Sequence, residues 1–159
     1  MLAIPGFKGY KAKEQRREAD KLIRNFLHSK LQEARNGLQD IYQAATEGKA
    51  PQDLRPIDRL TAIFDRVSSK VNHASYGYAG FFDAVKIDED DLDRMIDFDT
   101  KLVDLAKALA QKVRDLKNEV QSSKFDNIHA FQEETRKAVE AFENAFDQRK
   151  DSIEEVEVA

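Results

Sequence analysis

Ile23, Leu27, Leu31, Ala34, Leu38, Ile41 and Ala45 recur in steps of four and three residues. That spacing draws a stripe along one side of an α-helix, whereas a half-buried strand needs alternation by two. Leu22, Phe26 and Tyr42 widen the stripe into a face broad enough for the core of a bundle. The pattern predicts a first helix over 10–48, about 39 residues and so about 58 Å long. Gly37 lies inside it and weakens it locally by about 1 kcal/mol relative to Ala, which implies a close helix crossing or plain tolerance. Gly48, followed by Pro51, supplies the stop.

The same spacing recurs downstream. Ile57, Leu60, Phe64, Val67, Val71 and Ala74 predict a shorter second helix over 53–75, capped by Asp53 with Pro56 in its first turn. A third helix over 88–121 begins with carboxylates that complement the positive end of its dipole. Two apolar registers overlap along it: Met95, Phe98, Leu102, Leu105 and Leu109, then Leu109, Val113, Leu116 and Val120. A fourth helix over 125–150 sets Ile128, Phe131, Thr135, Ala138, Phe142 and Ala145 on one seam, and Ser123 with Asp126 reads as its capping box.

No segment shows strand-like alternation, and only 6 Gly and 3 Pro punctuate the chain, so the elements must be long. Hydrophobic residues at 41% and charged residues at 35% fit a packed helical domain rather than a disordered chain. The expected fold is therefore all-α: a single domain over 1–159, forming an antiparallel four-helix bundle with long heptad-patterned helices. Residues 1–9 read as an arm and 151–159 as an acidic tail. The irregular Gly/aromatic segment 76–87, between helices 2 and 3, is expected to continue along the bundle where the short second helix stops.

Chemistry is harder to find than architecture. The chain has no Cys, which removes thiolate metal sites, disulfides and cysteine nucleophiles together. A di-iron bundle needs Glu-x-x-His pairs; the nearest match here is Asp126-x-x-His129, with Asp126 at a capping position. No glycine elbow surrounds Ser68, Ser69, Ser75, Ser122 or Ser123, no phosphate loop is present, and DEDDLD lacks the Gly and final Glu of a calcium loop. We expect no metal and no cofactor. Asp99 falls on the seam when Leu92 and Met95 are continued by four. Burying a lone carboxylate costs several kcal/mol, so the expectation is a register through Phe98 with Asp99 at the boundary. Asp99 and His73 form the candidate pocket. His28, beside Leu27, reads as a flank residue.

Two stretches carry features that a plain bundle does not need. Lys8, Lys11 and Lys13 interleave with Leu2, Ile4, Phe7 and Tyr10, which suits an anionic membrane surface or an acidic partner. Tyr76, Tyr78, Phe81 and Phe82 precede an acidic run that includes Asp88, Asp90 and Asp91. The leading functional expectation is a non-enzymatic interaction or scaffold module that docks a protein partner, a second copy of itself or a membrane surface through these stretches. The alternative is a small-molecule or ion-binding bundle with its pocket at the Tyr/Phe segment; a third reading is an enzyme working through Asp99 and His73. A net charge of −4 argues against nucleic acid. The opening MLAIPGFKGY lacks the apolar run of a signal peptide and no stretch approaches a membrane span, so the expected location is cytoplasmic, with peripheral contact at a membrane surface.

Overall fold

A computed structural model describes residues 13–51, 53–74 and 89–156. Every regular element among them is helical: α1 (Lys13–Glu47), α2 (Arg55–His73), α3 (Glu89–Gln121) and α4 (Ile128–Val156). The seven seam residues of α1 are all buried, as are Ile57, Leu60, Phe64, Val67 and Val71 of α2. In α3 the buried positions run Met95, Asp99, Leu102, Ala106, Leu109, Val113, Leu116 and Val120 without a break in the three–four stepping. The expected pair of overlapping registers is thus replaced by one. Phe98 and Leu105, which the sequence reading placed on the seam, are half-buried at its edge.

The helices close a ring in which α1 packs on α2 and α3, and α4 packs on α3 and α2. Surface ion pairs mark the alignment of each contact. Glu33 meets Arg114 and Asp40 meets Lys117, so residue numbers rise together along α1 and α3. They also rise together along α2 and α4, where Arg66 meets Glu143 and Lys70 meets Asp147. Arg35 meets Asp65 between α1 and α2, and Lys112 meets Glu134 between α3 and α4. Exposed pairs of this kind contribute about 0–1 kcal/mol each, so burial in the ring interior dominates.

Gly37 faces Val113 across the contact of α1 with α3. A Cβ there would lie 2.6 Å from Val113 Cγ1, so the glycine is a close crossing rather than mere tolerance. Gly48 plays a similar part, since its Cβ would meet Phe125 Cζ at 2.6 Å. The reversal that ends α1 falls instead on Lys49, at φ 53. Lys49 N–H donates to Thr46 O and Ala50 N–H to Ala45 O, the paired bonds of a Schellman ending. α3 ends the same way: Ser123 has φ 59, with Ser123 N–H bonded to Val120 O and Lys124 N–H to Glu119 O. Ser123 therefore terminates α3 and does not cap α4, which begins later, at Ile128. At α2 the N-cap residue is Leu54, and Asp53 accepts the Arg55 N–H at 3.0 Å from one position upstream.

Replacing Leu109, 2% exposed, with Ala should lower unfolding free energy by about 2–5 kcal/mol in urea titration. Lys49→Gly should raise it by about 0.5–1 kcal/mol, because only glycine adopts positive φ without a Cβ penalty. No gain from that change would mean that the Schellman ending does not form in solution.

Candidate functional site: a buried ionic layer

Following the buried runs of α1, α3 and α4 toward one end of the bundle leads to charges. The run on α1 passes from Leu27 through Ile23 to Arg24 and Asp20; that on α3 passes from Leu102 to Asp99; that on α4 passes from Ala145 to Arg149. Arg149 is 1% exposed and Asp99 0%. Arg149 Nε donates to Asp99 Oδ1 at 2.5 Å, and Arg149 Nη2 donates to Asp20 Oδ1 at 2.9 Å. Asp20 Oδ2 in turn accepts from Arg24 Nε at 2.8 Å. One planar guanidinium thus joins carboxylates from two other helices, and the positive and negative charges balance. The last turn of α2 reaches this level through the Lys70–Asp147 pair, two residues before Arg149.

Asp99 is therefore a core residue and not a boundary one. The cost of burying a carboxylate falls sharply when a guanidinium is already there to receive it, and the partner lies 50 residues further along the chain. His73 does not join it. That side chain is exposed and its Nδ1 lies 2.8 Å from Ser69 O, so the expected Asp99–His73 pocket is not assembled.

A second polar group ties α1 to α2. His28 Nδ1 lies 2.9 Å from Ser68 Oγ and 3.3 Å from Ser68 O, while Gln32 Nε2 donates to Ser68 Oγ at 2.8 Å. A ring hydrogen on Nε2 lets His28 Nδ1 accept from the Ser68 hydroxyl, and one on Nδ1 lets it donate to Ser68 Oγ or O. The Ser–His distance would suit a nucleophile and its base, but Ser68 is 0% exposed, sealed between two helices. The arrangement works as a helix-to-helix tie. Both residues directly follow seam positions, Val67 and Leu27, and that adjacency was the available sequence signal.

Lys8, Lys11, Tyr76, Tyr78, Phe81, Phe82 and Asp88 lie outside the described residues. Lys13 lies at the start of α1, and Asp90 and Asp91 in the first turn of α3. Among the described residues, no group of three or more His, Asp or Glu is arranged to hold a metal ion, and no helix is long and apolar enough to cross a membrane. No family model, curated protein or solved structure matches the chain.

Between α2 and α4, Glu143 receives Arg66 and also Lys70, the latter at 3.2 Å. The Arg66 hydrogen bonds hold the Glu143 carboxyl below the usual range, burial opposes this, and Lys70 adds to the lowering. Burial works against the Lys70 charge, yet Asp147 and Glu143 together raise its affinity for the proton. A carboxyl whose folded value is depressed stabilises the fold above its unfolded value, and that contribution is lost as pH falls through the folded one. Thermal unfolding should therefore show an acid-dependent loss beginning near pH 4 that is smaller in Glu143→Gln. The variant should also melt lower than the parent at pH 7. Parallel Tm–pH curves would show that the pairing is absent in solution.

Proposed function

We propose that this chain is a non-catalytic interaction or scaffold module, built as two antiparallel hairpins whose heptad seams meet in one core. The observation that carries the reading is that two buried polar clusters are engaged in joining helices. Asp99, Arg149 and Asp20 join α3, α4 and α1, and His28, Gln32 and Ser68 join α1 to α2. Side chains that in another bundle would face a substrate here hold helices to each other. A rigid rod of this kind is suited to presenting docking segments rather than to turning over a substrate.

In this reading the docking segments are the two stretches the bundle does not need. Lys8, Lys11 and Lys13 approach an acidic partner or an anionic membrane surface. Tyr76, Tyr78, Phe81 and Phe82 supply apolar anchors, rimmed by Asp88, Asp90 and Asp91, which select a basic partner or a second copy of the chain. The protein works in the cytoplasm and peripherally at membranes.

Co-sedimentation with vesicles containing anionic lipid tests the arm. Binding is expected at low salt, falling as salt rises and on changing Lys8, Lys11 and Lys13 to Glu together. No binding at low salt removes the membrane version of the proposal. For the aromatic segment, Tyr76→Ser with Tyr78→Ser should reduce self-association or partner capture by light scattering while Tm stays near that of the parent. A large fall in Tm with unchanged association would make that segment scaffold.

A further inference from the structure

Three charged residues of the ionic layer do not flank the seams but occupy them. Asp99 stands between Met95 and Leu102 on α3, Arg149 follows Ala145 by four on α4, and Asp20 precedes the buried Ile23 by three on α1, with Arg24 beside it. Each of the three fills a position that the three–four spacing otherwise gives to an apolar side chain. Away from this layer the seams are nearly uniform: Leu27, Leu31, Ala34, Leu38, Ile41 and Ala45 on α1, and Leu102, Ala106, Leu109, Val113, Leu116 and Val120 on α3. Sliding α1 along α3 by one seven-residue repeat, about 10 Å, would again set apolar residues on apolar residues over most of the contact. Burial of apolar area is non-directional, so it separates such alignments poorly. A buried carboxylate separates them better, because Asp20 keeps Arg24 of its own helix but loses Arg149 when α1 slides, and Asp99 loses Arg149 when α3 slides against α4.

From this we infer that Asp20, Asp99 and Arg149 are the register key of the bundle. They select one axial alignment of α1, α3 and α4 and disfavour both slid alignments and association of chains through the same seams. They do this without adding net stability, since a buried ion pair roughly offsets its own desolvation when compared with apolar residues of similar size. The exposed pairs Glu33–Arg114 and Asp40–Lys117 favour the same alignment, but solvent screens them and they are too weak to impose it. The inference holds whatever the docking partner is, because it concerns how the chain finds its own fold.

The test compares two variants of the full chain. Arg149→Met alone leaves carboxylates buried without their bridge, and Tm should fall by roughly 10 °C. Replacing the whole layer, with Asp20→Leu, Arg24→Leu, Asp99→Leu and Arg149→Met together, should restore Tm to the parent value or above. Alignment is then read by cross-linking, which is clean because the chain has no Cys of its own. Glu33→Cys with Arg114→Cys reports the native alignment, and Glu47→Cys with Lys117→Cys reports α1 slid by one repeat, which would bring Glu47 to the place that Asp40 holds opposite Lys117. In the parent background only the first pair should oxidise readily. In the four-fold apolar background both should, or light scattering should show association that the parent lacks. The inference is overturned if the four-fold variant melts as low as Arg149→Met, because the layer is then needed for stability. It is equally overturned if that variant melts like the parent, cross-links only through the first pair and associates no more than the parent does.

Discussion

A guanidinium buried among seams of Leu, Val and Ala is the feature on which the rest of this bundle depends. Arg149 has almost no contact with solvent, so its charge must be met inside the protein, and Asp99 and Asp20 meet it from two different helices. Those bonds fix more than distance. A guanidinium donates in its own plane, so the two carboxylates must stand at set angles, and α1, α3 and α4 are held in rotation as well as in height. Apolar contacts along the same helices supply the larger free energy but tolerate rotation and sliding far more readily.

The remaining polar interactions divide by depth. The Ser68 cluster repeats the logic of the ionic layer with neutral groups, further along the α1–α2 contact. Outside, each of the four helix contacts carries at least one ion pair, but these are solvated and individually small. Glu143 is the partial exception, since two cations converge on it and its side chain is only 15% exposed. The bundle is thus aligned from the inside and trimmed from the outside. The ionic layer and the Ser68 cluster belong to helix packing, whereas Gln132 Nε2 and Thr135 Oγ1, buried on α4, make no hydrogen bond.

Much of this could be read from spacing alone. Leu31, Leu38, Val67, Leu109 and Phe142 are on the expected seams and all are buried, because a stripe stepping by three and four has only one face to hide. What spacing did not yield was Asp99. Its position on the seam was visible, but a carboxylate weighed by itself looks too costly to bury. Arg149, which changes that balance, follows Ala145 by the same step of four, at the opposite end of the next helix. Pairing polar residues across predicted seams, rather than judging each singly, would have joined the two. Ser123 failed for a different reason. Ser-x-x-Asp fits the opening of α4, yet the same serine closes α3, and which of those bonding patterns forms is decided by the loop and not by the motif. The arm and the aromatic segment, where the functional expectations were placed, lie outside the described residues.

Lys49 and Ser123 also bear on how this protein can change over generations. Both hold a left-handed backbone that a glycine would adopt without strain, and both end a long helix at the same end of the ring. Neither side chain helps to fill the core, so a glycine at either position would disturb no neighbour. The fold therefore carries latent stability in its turns, reachable by single substitutions that leave every packed residue untouched. Such a chain can accept harmful surface changes and later recover from them without reworking its interior. The ionic layer is the opposite case. Its members can be exchanged for apolar residues only together, because changing one alone leaves a buried charge unmet.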